Sequence, residues 1–278
     1  MIIDAHQHFW QYDPEQHDWI NDQMQVLQKD FLPPALAAIY EEQGIDGCVA
    51  VQADQSEQET AFLVQLAREY DFIKGVVGWT DFCSPELPRR LEAYAKMPEV
   101  KGFRHIVQAE PDPRFLLRED FRNGIRHLAA YSFTYDILVY PHQLDAVLDF
   151  VRLFPNQAFI IDHLAKPYIK EGDFSGWANL MRTIAASPNV YCKLSGMITE
   201  ADWKNWQYEN FLPYLDLVFE VFGTDRLVFG SDWPVCLVAG RYPQVKEIIE
   251  KYLEPFPESE RKKVWALNAI EFYGLGKV

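Results

Sequence analysis

The chain has 278 residues, 49% of them hydrophobic and 24% charged, and a formal net charge of −15. That length suits one α/β barrel domain, and the balance of apolar to charged residues excludes a disordered chain. The acidity excludes phosphate backbones and anionic membrane surfaces as partners, because no run of Lys or Arg reverses it locally.

The N-terminus, MIIDAHQHFW, has neither a basic n-region nor an apolar h-region, and no apolar stretch approaches the roughly 20 residues that span a bilayer. Cys48, Cys83, Cys192 and Cys236 form no CxxC pair and do not read as a disulfide framework; three of them sit in or beside apolar runs, where a free thiol behaves as a small buried hydrophobe. A cytoplasmic location is expected.

In chain order, short runs rich in β-branched and aromatic residues alternate with segments of helical periodicity. The first strand is expected over Met1–Ala5 and runs into His6-Gln7-His8. A long loop, Phe9–Pro33, follows with Trp10, Tyr12 and Trp19. Helix Pro34–Gln43 has proline in its first turn and stops at Gly44. Strand Asp46–Gln52 leads to helix Glu57–Tyr70, with Ser56 as N-cap, and strand Ile73–Trp79 to helix Pro85–Lys96 after Ser84. Strand Val100–His105, helix Glu119–Tyr131, strand Thr134–Val139 and helix His142–Phe154 come next. Then follow strand Ala158–Asp162, helix Trp177–Ala186 and strand Val190–Leu194. The loop Ser195–Gln207, with Trp203 and Trp206, precedes helix Tyr208–Phe222. Strand Leu227–Gly230 and helices Tyr242–Tyr252 and Glu258–Phe272 close the chain.

Strands alternating with helices imply parallel pairing, and runs apolar at successive positions imply strands covered on both faces. No GxGxxG follows the first strand, so a doubly wound dinucleotide fold lacks its signature. The expected fold is a single-domain (β/α)₈ TIM barrel over residues 1–278.

In such a barrel, catalytic residues sit at the carboxyl ends of the strands. His6 and His8, two apart in a strand, point to one face. His163 follows the apolar run of the sixth strand, and Asp232 that of the eighth. A carboxylate is costly to bury unpaired, and three imidazoles at the same rim supply its partners. Two chemistries follow. His6, His8, His163 and Asp232 can hold one divalent ion, zinc by preference, that polarises a carbonyl or activates water. Alternatively the histidines act by hydrogen bonding alone, without metal, while Asp232 is the general base. Arg104 and His105, ending the fourth strand, are candidate substrate or oxyanion contacts, with a structural ion pair as the plain alternative. Lys166 is a similar candidate, and Trp10 a candidate substrate wall. The other loop aromatics read as packing over the barrel mouth, His17 and His127 as surface residues, and His142 as a helix opener.

These segments together resemble the amidohydrolase superfamily, in particular the amidohydrolase 2 type and its sugar-lactonase and aromatic-lactonase branch. DAHQHFW, GVVGWTDF, KGFRHIVQ, DHLAKP, KLSGM and FGSDWPV fall in the family's order across nearly the whole chain. The resemblance implies a hydrolase of carbohydrate metabolism that opens an aldonolactone such as an L-fuconolactone or L-rhamnonolactone. It implies Asp232 as general base and His6, His8 and His163 as metal-binding or carbonyl-activating residues. The lysine after strand four and the histidine after strand five of binuclear members have no counterparts here, so a bridged two-metal site is not expected. A metal-dependent decarboxylase of aromatic acids and a sugar-acid binding protein without catalysis are the alternatives. The expected partner is a small-molecule lactone, and the sequence leaves a homo-oligomer open.

Overall fold

A computed structural model describes residues 1–276, so the last two residues of the expected 1–278 domain lie outside the described residues. Eight parallel strands lie in sequence order, forming a (β/α)₈ TIM barrel. They are β1 Ile3–Gln7, β2 Gly47–Val51, β3 Ile73–Gly78, β4 Val100–His105, β5 Thr134–Ile137, β6 Phe159–Ile161, β7 Val190–Leu194 and β8 Leu227–Phe229. The gap between β8 and β1 is closed by residues just past β8: Asp232 N–H donates to His6 O at 2.8 Å, and His8 N–H to Trp233 O at 2.7 Å.

The outer helices are α1 Pro33–Gln43, α2 Glu57–Glu69, α3 Leu87–Tyr94, α4 Glu119–Ile125, α5 Leu144–Leu153, α6 Ser175–Ala185, α7 Leu212–Phe222 and α8 Tyr242–Leu253. Ser56 caps α2 as expected, accepting from Glu59 N–H at 3.1 Å. Ser84 does not cap α3 directly; Glu86 is its N-cap, and Ser84 Oγ accepts from Glu86 N–H. The expected helix 119–131 breaks after α4 and resumes as a 3₁₀ turn, Leu128–Tyr131. The expected 258–272 helix is α9 Glu258–Lys262, a π-helical turn Lys263–Leu267 and α10 Asn268–Tyr273. Among the described residues no helix is long and apolar enough to cross a membrane.

Two apolar layers hold the barrel. The larger packs Phe103, Tyr135, Phe159 and their neighbours against the outer helices. The smaller lies inside, where Ile3, Ala5, Val49, Val51, Val77, Ile160 and Val228 meet Ala266, Ala269, Phe272, Tyr273 and Leu275. The final helical segment is therefore the floor of the barrel, opposite the strands' carboxyl ends.

Candidate active site

β1 runs two residues further than its apolar pattern suggests, because Asp4, His6 and Gln7 are fully buried members of the strand. Its pairing with β2 carries an irregularity: Asp4 faces Cys48 and Gln7 faces Ala50, three steps on one strand against two on the other. Such a bulge re-aims side chains. Ile3 and Ala5 point into the lower barrel, and His6 and His8 then both point into its mouth. Gly230 makes room, since a Cβ there would lie 2.6 Å from His6 Cβ.

His163 and Asp232 sit on strained backbone. Residues His163, Leu164, Ala165 and Lys166 all have positive φ, between 49° and 57°, and Asp232 has φ 57°. Left-handed backbone costs a residue with a Cβ about 1 kcal/mol or more. The run after β6 is held by Lys166 N–H donating to His163 O and by Trp177 Nε1–H donating to Leu164 O, both at 2.7 Å. This turn presents the His163 ring beside His6, with ring centroids 4.3 Å apart.

Four side chains converge at the mouth. Asp232 Oδ1 lies 3.5 Å from His8 Nε2 and 3.9 Å from both His6 Nε2 and His163 Nε2. His6 Nε2 and His8 Nε2 are 3.2 Å apart. His8 Nδ1 is 2.7 Å from Val51 O, a group that only accepts, so the His8 proton sits on Nδ1 and Nε2 is bare. His163 Nδ1 bonds Ser195 Oγ at 2.9 Å. Burial pushes the pKa of all three imidazoles down, that of His6 well down and that of His163 to about 4, so they are neutral near pH 7. Burial opposes ionisation of Asp232 too, but the facing imidazoles and Lys166 outweigh it and hold its carboxyl below the usual range.

The donor set fits a metal. Donors about 2.0 Å from a tetrahedral ion lie about 3.3 Å from one another, and His6, His8 and Asp232 approach this at 3.2 to 3.9 Å, with His163 Nε2 3.9 Å from Asp232 Oδ1. The Val51 and Ser195 bonds are the outer contacts that orient ligating imidazoles.

Beneath this group lies a buried charge network in which Arg104 makes the ion pair named as its alternative role, and whose other members, Asp136, Asp162 and Lys193, the sequence reading missed. Arg104 Nη1 donates to Asp162 Oδ2 at 3.1 Å, and Arg104 Nη2 donates to Gln52 O. Lys193 Nζ donates to Asp136 Oδ2 at 2.5 Å and lies 3.1 Å from His6 Nδ1. Burial opposes ionisation of Asp162, but Lys193, His6 and Arg104 hold its pKa far below the usual range. Burial raises that of Asp136 to about 6 against the pull of Lys193. The available signal was parity: Arg104, Asp136 and Lys193 occupy inward positions of strands that read as apolar.

A cavity of about 520 Å³ opens above these groups, lined by His8, Arg104, His163, Lys166 and Asp232. Trp19 and Trp203, read from sequence as packing, line it too. Lys166 pairs with Glu200 at 3.2 Å on its wall. Trp10 and His105 do not line it. Trp10 is buried behind, its Nε1–H donating to Lys29 O at 3.0 Å. His105 is on the outer face of β4, as alternation with Arg104 requires, bonded to Glu110 at 2.7 Å and stacked on Phe115. His17 is buried rather than at the surface, at 2% exposure, between Trp10 and Tyr12. His127 and His142 are exposed, His142 in the 3₁₀ turn that opens α5.

Residues 3–275 match the amidohydrolase family. An L-fucono-1,5-lactonase of Burkholderia multivorans is 39% identical over 284 residues, covering 98% of this chain and 96% of the relative. An L-fucono-1,5-lactonase of Burkholderia ambifaria is 33% identical over 285 residues, covering 99% and 96%. A crystal structure of a Burkholderia multivorans amidohydrolase with bound zinc superposes with a TM-score of 0.96 at 38% identity, over 99% of this chain and 100% of that one.

Proposed function

The chain belongs to the amidohydrolase family, and on that premise we propose that it opens the ring of a sugar aldonolactone of the L-fucono- or L-rhamnono-lactone type. The observation that carries this reading is one ionised carboxylate, Asp232, facing three neutral imidazoles at the floor of a 520 Å³ cavity. The names of the curated relatives support a sugar lactone as the substrate. Trp19 and Trp203 offer flat apolar walls for a sugar ring, and Lys166 and Arg104 offer donors to its oxygens.

Asp232 takes a proton from water as the water oxygen bonds the lactone carbonyl carbon. Arg104, and His163 Nε2–H with Ser195 Oγ–H donating to Nδ1, face the developing oxyanion. The ring C–O bond then breaks, and the leaving ring oxygen takes the proton back from Asp232. The product is an aldonic acid that ionises and releases one proton. A divalent ion, if bound by His6, His8, His163 and Asp232, would supply Lewis-acid polarisation of the carbonyl.

The test is proton release from a panel of aldonolactones by metal-stripped and zinc-supplemented protein. A sugar lactone is turned over, and Asp232→Asn lowers kcat by about 100-fold or more while the circular dichroism spectrum is kept. An Asp232→Asn protein at full activity, or a wild-type protein inert on every lactone, refutes the reading.

A further inference from the structure

His6 is enclosed by four polar groups, and its single ring proton cannot suit them all. On the Nδ1 side lie Lys193 Nζ at 3.1 Å and Asp162 Oδ1 at 3.4 Å. On the Nε2 side lie His8 Nε2 at 3.2 Å and Arg104 Nη1 at 3.3 Å. Ammonium and guanidinium groups only donate, and a carboxylate only accepts. His8 Nε2 also only accepts, because Val51 O holds the His8 proton on Nδ1.

With the proton on Nε2, Lys193 donates into Nδ1 and the Nε2–H donates to His8. Two contacts are then mismatched, with Arg104 Nη1, which keeps Asp162 Oδ2 as a partner at 3.1 Å, and with Asp162 Oδ1, which keeps Lys193 Nζ at 3.0 Å. With the proton on Nδ1, the ring sets an N–H against a buried ammonium. Arg104 Nη1 and Asp162 Oδ1 are then matched, but the bare nitrogens of His6 and His8 face each other at 3.2 Å. The contacts matched in the first arrangement, 3.1 and 3.2 Å, are shorter than those matched in the second, 3.3 and 3.4 Å, and both groups that the first mismatches keep an oppositely charged partner.

We infer that Lys193 is a positioning residue that places the His6 proton on Nε2, between His6 and His8. Lys193 is fully buried and lines no part of the cavity. It is fixed from below by Asp136 Oδ2, which also accepts from Tyr273 O–H at 2.8 Å. An ion ligated by His6 Nε2 requires the proton to move to Nδ1, against this ammonium. Lys193 thereby sets how readily the four-donor group takes a metal. The inference rests on no substrate and goes beyond the lactonase reading.

The experiment uses metal-stripped protein labelled with ¹⁵N-histidine, with the His6 resonances identified by their loss in His6→Gln. Zinc affinity is measured beside it by chelator competition. Lys193→Met strands Asp136, so Lys193→Met/Asp136→Asn, which removes both charges, is run in parallel. In the wild type, His6 shows a bare Nδ1 and a protonated Nε2. In the double variant the proton moves to Nδ1 and zinc binds at least tenfold tighter, the scale on which outer-shell partners tune metal affinity. A wild-type His6 protonated at Nδ1, or a gain in zinc affinity below tenfold, overturns the inference. Neither readout involves turnover, so failure here leaves the lactonase reading standing, and an inert enzyme leaves this inference standing.

Discussion

At Gly196 the backbone has φ 64°, and a Cβ built there would lie 2.5 Å from His163 Nδ1. The position therefore needs glycine twice over, for the left-handed conformation and for the close approach of the ring. Gly196→Ala is expected to displace His163 from Ser195 and Asp232 and to lower kcat by about tenfold or more, since small misplacements at a reacting centre are costly. A kinetic comparison checks this, and an Ala variant with unaltered kcat removes His163 from the machinery. The residues of this cluster were legible in sequence where a polar side chain follows an apolar run at a strand end, as at His6, His8, His163 and Asp232. Lys193 and Asp136 were not, because a single charge inside a buried strand looks like an irregularity until its opposite charge on another strand is in view. Trp10 and His105 were drawn toward the cavity by sequence proximity, but the alternation of β4 and the path of the first loop turn them away.

Among the elements, α2 carries a carboxylate that ties it to the cavity wall. Glu59 Oε1 accepts from Ala53 N–H at 2.8 Å, and Ala53 lines the cavity. Burial pushes the Glu59 pKa up to about 7, above the 4.5 of the free group, with the Ala53 N–H pulling the other way. The folded chain thus binds a proton more tightly than the unfolded one. Stability falls as pH rises from about 4.5 to about 7 and is level above that. Glu59→Gln keeps the acceptor and removes the charge. At pH 8 it is expected to stabilise the fold by about 3 kcal/mol, a gain that shrinks toward pH 5. Urea denaturation at both pH values measures this, and a gain independent of pH contradicts it. Element order and type were readable because apolar periodicity and caps agree, as at Ser56. Boundaries slipped where burial is polar, as in β1, and where α4 gives way to a 3₁₀ turn.

For the molecule as a whole, the inner apolar layer is covered from below by the segment Ala266–Leu275, and Tyr273 reaches up to Asp136. Tyr273→Phe leaves Asp136 with one donor fewer in a buried setting and is expected to cost about 1–3 kcal/mol of stability, read from urea denaturation. An unchanged midpoint would show that the floor does not grip the charge network. This floor also fixes an order of events during translation. All eight strands leave the ribosome before the residues that roof their apolar underside do. At about 5–20 residues per second, the nascent chain spends seconds with that underside bare. The unfinished chain exposes an apolar surface that the finished one buries.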